Sequence, residues 1–216
     1  MANVQAETAF QKALQNNQRW AAEYTAAEPD FFPTTAKSQS PDFLWIGCTD
    51  SRVPETTILG LKPGNVCAHR NIANIVAATD LSILAVIEFA VVHLKVKHVV
   101  VCGHSACGGV AGSMGNGKLG APLDIFIQPL RALREKHMKT LKGMSAAEQK
   151  AFITKTNVEE GVHVVKRIPT VIDAMRDRGL QVHGVLYDLT SGKLEEVDCD
   201  EGEEASAIRD ELFERK

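Results

Sequence analysis

The 216-residue sequence predicts an α/β fold, a single domain with a central, mostly parallel β-sheet flanked by helices and preceded by an N-terminal helical arm. Three observations carry this prediction. Two apolar runs, Phe43-Leu44-Trp45-Ile46-Gly47 and His98-Val99-Val100-Val101-Cys102, are continuous rather than alternating, as strands buried on both faces are. Helical patterns follow each run, giving the repeated strand–helix order of a parallel sheet. A chain of this length, 44% apolar and 24% charged, can bury a substantial core.

Residues 3–26 are rich in Ala, Gln and Glu and space Phe10, Leu14, Trp20, Ala21 and Tyr24 for one or two amphipathic helices. Glu28-Pro29-Asp30 breaks that pattern. The arm, residues 1–30, therefore lies on its own domain or on a neighbouring surface. The first strand follows at Phe43–Gly47, and Lys62-Pro63-Gly64-Asn65 turns the chain into a short second strand, Val66–Arg70. Asp80 caps a helix in which Leu81, Leu84, Ile87, Phe89, Val91, Val92 and Leu94 leave few polar positions. A helix so apolar belongs in the core or at a subunit interface.

After the strand His98–Cys102, Gly108-Gly109 opens a short helix. Pro122–Leu141 reads as one helix, and Ser145-Ala146-Ala147-Glu148 as a capping box starting the next. Asn157 is expected to cap a longer helix that Pro169 kinks or restarts and Gly179 ends. Gln181–Leu189 and Lys193–Val197 flank Thr190-Ser191-Gly192 as two strands joined by a turn. Residues 201–216, a charged C-terminal tail, read as a solvated surface helix.

Composition excludes several functions. A formal net charge of −3 without a long basic run gives nucleic acid nothing to bind. No apolar stretch reaches the roughly 20 residues needed to span a bilayer, and the N-terminus has no leader pattern. A cytoplasmic protein is expected. Five cysteines, an odd number, point to reduced thiols, metal ligands or core residues.

The chemistry gathers at two strand ends. The first strand delivers Cys48, Asp50 and Arg52 at alternate positions, which extended chain would point to one side. The other ends in His104-Ser105-Ala106-Cys107. Cys48, His104 and Cys107 offer two sulfurs and an imidazole, a set that suits zinc. Ligand sites in open α/β sheets collect beyond the carboxyl ends of strands. Three protein ligands leave a fourth position for water or for Asp50, the pattern of a catalytic zinc. Cys102 reads as core, Cys67 and Cys199 as non-ligands. His69, His93, His98, His137, His163 and His183 show no ligand spacing.

These blocks closely resemble the beta-class carbonic anhydrases. The resemblance rests on Cys48-Thr49-Asp50-Ser51-Arg52, His69-Arg70-Asn71-Ile72-Ala73-Asn74 and His104-Ser105-Ala106-Cys107-Gly108-Gly109, in that order, and covers most of residues 1–190. It implies zinc-dependent hydration of carbon dioxide to bicarbonate and a proton, with zinc-bound hydroxide as nucleophile. Asp50, kept ionised by Arg52, would orient the hydroxide or, in a closed state, bind zinc itself. Gly108 would let the backbone approach bicarbonate. Gln39 would bind substrate from a partner subunit, so a homodimer or a dimer of dimers is implied, and Ile72 and Phe89 would line an apolar pocket at that interface.

Trp45, Val53 and Arg70 match a non-catalytic bicarbonate pocket found in one branch of the family. They read equally well as core, core and an interface ion-pair partner. Cys67 replaces an aromatic residue common in relatives. Two other readings stay open: a bicarbonate- or zinc-binding sensor without turnover, and a carbon disulfide hydrolase.

Overall fold

The computed structural model describes residues 7–212, which fall into two compact units divided after Gln39. In the first, α1 (Ala9–Ala27) starts at a capping box in which the Thr8 side chain and Gln11 satisfy each other's backbone N–H groups. After the expected break comes a second short helix, α2 (Phe31–Thr35), which the helical spacing of residues 3–26 did not reach. Its Phe31 and Phe32 pack on Trp20 and Tyr24, with ring centroids 4.5 to 5.9 Å apart. No residue of α1 is buried. The predicted start at residues 3–6 lies outside the described residues.

The second unit carries the sheet. In chain order its elements are β1 (Phe43–Cys48), α3 (Glu55–Ile58), β2 (Val66–Asn71), a 3-10 turn at Ile72–Asn74, and α4 (Leu81–Glu88), which continues as a wider π turn through His93. Then come β3 (His98–His104), α5 (Gly108–Met114), α6 (Ala121–Phe126), α7 (Gln128–Lys136) and α8 (Met138–Leu141). The chain closes with α9 (Ala146–Lys166), α10 (Pro169–Arg178), β4 (Gln181–Asp188), β5 (Lys193–Val197) and α11 (Gly202–Leu212). The strand order is β2-β1-β3-β4-β5. All neighbours run parallel except β4 and β5, which a tight turn closing at Gly192 (φ +68°) joins as a hairpin.

Alternate residues of β1 and β3 serve opposite layers. Leu44, Ile46, Val99 and Val101 pack in one core with Ile83 and Ile87 of α4 and with Val158, Val162 and Val165 of α9. Trp45, Val100 and Cys102 face the other way, against Ile58, Leu59 and Tyr187. The parallel register pairs Phe43 with His98 and Ile46 with Val101, so the carboxyl ends of β1 and β3 emerge side by side.

Four predicted elements differ from what the sequence led us to expect. Pro122–Leu141 is not one helix but three, broken around Ile127 and His137; Pro129 at the start of α7 has no N–H to continue the α6 ladder. Asn157 caps nothing. It lies buried inside the 21-residue α9, and its side-chain amide donates to the Ala73 carbonyl at 2.9 Å. A polar residue mid-helix here marks a tertiary contact, not a helix start. Residues 49–52 leave the extended path, with Val53 N donating to Asp50 O at 3.1 Å, so a turn rather than strand alternation presents Asp50 and Arg52. The C-terminal segment is helical over Gly202–Leu212 but not wholly solvated: Arg209 is buried and paired with Glu201.

Candidate metal centre

Cys48 ends β1, His104 ends β3, and Cys107 stands at the N-cap of α5. Their ligand atoms all lie within 4.8 Å of one another, and all three residues are buried. Two residues in the left-handed region make this convergence possible. Ala106 (φ +53°) reverses the chain between His104 and Cys107, and Ala73 (φ +59°) turns its N–H toward Cys48 Sγ at 3.3 Å. Such a conformation costs a non-glycine residue on the order of 1–2 kcal/mol. Asn157 and Asn71, which exchanges hydrogen bonds with the Ile75 backbone at 2.8 and 2.9 Å, hold the strained segment in place.

His104 is poised as a ligand. Its Nδ1 stands 2.9 Å from the Ser105 carbonyl, which fixes the proton on Nδ1 and leaves a lone pair on Nε2. That Nε2 is buried and has no hydrogen-bond partner. An orphaned lone pair facing two thiols is what a soft dication would satisfy, so the residues fit a zinc ion. Burial opposes charge on His104, but the nearby Cys48, through its closeness and its charge, pushes the imidazole upward on balance. The two sulfurs titrate as a pair. A hydrogen bond from Cys107 pulls the Cys48 thiol down, and the same bond, with burial, pushes Cys107 up.

Asp50 lies beside this cluster, with Oδ2 3.9 Å from His104 Nε2. Arg52 holds it through two parallel bonds, Nε donating to Oδ1 at 2.9 Å and one Nη to Oδ2 at 2.7 Å; the Arg52 backbone N–H adds a third at 3.0 Å. The hydrogen bond from the guanidinium holds Asp50 well below the usual carboxylate range. Arg70 supports the same loop from behind. It donates to the carbonyls of Cys48 at 2.8 Å and Asp50 at 2.6 Å and faces Glu55 at 3.8 Å.

The remaining predicted residues take varied places. Gly108 is exposed, and a Cβ there would meet nothing within 4 Å. Ile72 is half-buried against Gly109. Phe89 is 46% exposed on the continuation of α4, and Gln39 is exposed at the end of the first unit. Trp45 and Val53 are buried, and the Trp45 indole Nε1 has no partner. Sequence reading missed Ala73, Asn157 and the bond from Ser105 Oγ to Asp188 at 3.2 Å, which ties the ligand loop to β4. An alanine in the left-handed region carries no compositional signal, and the Ser105–Asp188 pair spans most of β3 to β4.

The profile of the carbonic anhydrase family matches residues 43–194, taking in the whole cluster and every strand but the last residues of β5. The chain belongs to the beta carbonic anhydrases. A carbonic anhydrase of Emericella nidulans is 39% identical over 196 residues, 90% of this chain and 86% of the relative. The solved beta carbonic anhydrase CafA of Aspergillus fumigatus is 50% identical and superposes with a TM-score of 0.94 over 97% of this chain and all of that one. A solved chain from Sordaria macrospora, described as one of two tetrameric beta carbonic anhydrases, is 49% identical with a TM-score of 0.87 over 89% of this chain and 98% of that one. Among the described residues of this carbonic anhydrase, Cys48, His104 and Cys107 form the one group of three or more potential ligands within reach of a single ion, and no helix is long and apolar enough to cross a membrane.

Proposed function

We propose that this enzyme interconverts carbon dioxide and bicarbonate, with one zinc ion per subunit held by Cys48, His104 and Cys107. The observation that carries the reading is the buried, unpartnered His104 Nε2 between two thiols, 3.9 Å from an ionised carboxylate. Zinc, when bound, supplies the Lewis acidity that lets a water ionise near pH 7.

The chain's own residues then perform the selection and orientation. Asp50 is an anion that accepts a hydrogen bond from the attacking water and so aims its lone pair. Arg52 keeps Asp50 ionised and fixed, a positioning role. Gly108 leaves open space for a bicarbonate oxygen to approach the backbone, since no side chain projects there. Ile72 and Phe89 supply apolar wall for the uncharged substrate, and Gln39 supplies a polar contact from a neighbouring copy in a homo-oligomer. The tetrameric Sordaria relative supports an oligomer.

A second feature of the same site is regulatory. Arg70 and the unpartnered Trp45 N–H are the donors a non-catalytic bicarbonate pocket beside Val53 would use. Arg70 already holds the carbonyls of Cys48 and Asp50. Bicarbonate drawing on that guanidinium would loosen the Asp50 loop and free the carboxylate to move onto the metal.

The decisive measurement is stopped-flow carbon dioxide hydration alongside zinc content, on wild type and Asp50→Ala. Zinc-loaded wild type hydrates carbon dioxide at alkaline pH, and Asp50→Ala keeps zinc but loses rate. Zinc-loaded protein without turnover would leave the sensor reading standing and end this one.

A further inference from the structure

At the end of the sheet opposite to Cys48, the amino ends of β3 and β4 bring two imidazoles together. His98 opens β3 and His183 is the third residue of β4, and His98 Nδ1 stands 3.2 Å from His183 Nε2. Two ring nitrogens this close share a proton or an ion, because two bare lone pairs repel. The residues are 85 positions apart, so no local spacing announces the pair. Each ring is held by a third group. Phe43 stacks on His98, centroids 5.1 Å apart and planes at 23°. Glu196 of the edge strand β5 places Oε1 3.3 Å from His183 Nδ1. Accepting that N–H leaves Nε2 as a lone pair aimed at His98. A carboxylate behind a histidine is the support that metal-bound imidazoles usually carry.

We propose that His98 Nδ1 and His183 Nε2 form a second metal site, for a borderline divalent ion such as zinc, copper or nickel. Glu196 orients His183, and water fills the other positions. The spacing suits the ion: two nitrogens each ~2.0–2.1 Å from a tetrahedral zinc stand about 3.3 Å from each other. Nitrogen donors select this class of metal over magnesium or calcium. Rotation about the soft terminal torsion of each ring re-aims the lone pairs from each other to the ion. The His183 side chain is 29% and that of Glu196 74% exposed, so the ion arrives from solvent. Local charge permits it, since Asp42 engages Lys97, the cation next to His98, at 2.8 Å, and Glu196 adds a negative charge. An ion here would tie β3 to β4 and raise the stability of the folded chain with the logarithm of free ion once its concentration exceeds the Kd.

The test titrates further zinc into protein that already carries one zinc per chain, by calorimetry and by thermal melting. Wild type binds a second equivalent, and its Tm climbs with free zinc. His98→Ala and His183→Ala lose that equivalent, Glu196→Gln binds it about 10–100-fold more weakly, and His93→Ala, at an exposed histidine on another element, binds as wild type does. Melting curves before the titration establish that each variant is folded, and His183→Gln repeats the test with a side chain of similar length. Absence of a saturable second equivalent in wild type overturns the proposal. So does a second equivalent that survives in both His183 variants.

Discussion

Asp50 illustrates how a single residue acquires its behaviour from its neighbours. Its carboxylate accepts three hydrogen bonds from Arg52, and those from the guanidinium keep it well below the ordinary carboxylate range. A group depressed in the folded state stabilises it above the unfolded pKa near 4 and loses that contribution only as pH falls through the folded value. Asp50 therefore keeps its charge well below neutral pH, so the proposed acid closure would not depend on protonating it. On the proposed switch, closure would instead be a competition between Arg52 and a bound metal for one carboxylate, tipped toward the metal as the ionised water, formed near pH 7, is lost. Crystal structures of the zinc-loaded enzyme at pH 5.5 and 8.5 (roughly a unit or more either side of that ionisation) are expected to show Asp50 on zinc in acid and on Arg52 in alkali. One unchanged coordination at both values would dispose of the switch. The residues of this competition were legible in the sequence because their chemistry is dense: a thiol, an acid and a guanidinium within five positions. The route was not, since the turn at Asp50–Val53 depends on Arg70 reaching from β2 to two carbonyls.

At the scale of elements, the glycines around the site separate packing from chemistry. Gly103 lies in β3 beneath α9, and a Cβ there would come within 2.7 Å of Val158, 3.0 Å of Leu186 and 3.2 Å of Thr154. Two of these neighbours are β-branched and stiff. Gly103→Ala should therefore cost about 1–3 kcal/mol by overpacking, read as a lower denaturation midpoint with the slope unchanged. Gly108 faces open space, and Gly108→Ala should leave the midpoint within about 0.5 kcal/mol of wild type while lowering kcat/KM for hydration. Equal stability losses at both positions would show that Gly108 is a packing glycine. The strands and α9 followed from hydrophobic period and a capping box, both local signals. The interruptions of α6–α8 and the interior place of Asn157 did not, because a side chain's long-range partner, here the Ala73 carbonyl, cannot be read from its own helix.

For the whole molecule, the apolar helix poses the question of what covers it. Ile83, Ile87, Ala90 and Val91 are fully inside the core, yet Leu81 is 78%, Phe89 46% and Val92 41% exposed on the same helix and its π continuation. Ala78, Leu81, Leu84 and Ala85 also line a surface groove with Val164, Ile168 and Pro169. Contiguous apolar surface of this kind marks an interaction site, and a helix apolar nearly all round needs burial on more than one side. The strand order was not legible in the sequence, but this demand was, because it depends only on composition around the helix. The occupant proposed here is a second copy of the chain, which would also account for the exposed Gln39 as a contact to a neighbouring site. Sedimentation equilibrium should find wild type as a dimer or larger. Leu81→Glu, which places a charge in the centre of that face, should shift it to monomer while zinc content is kept, because Leu81 touches no proposed ligand. If Gln39 acts across the interface, hydration falls with the oligomer and recovers as protein concentration drives reassociation. Wild type sedimenting as a monomer, or a monomeric Leu81→Glu with full activity, would remove the cross-subunit role and leave each chain's site complete in itself.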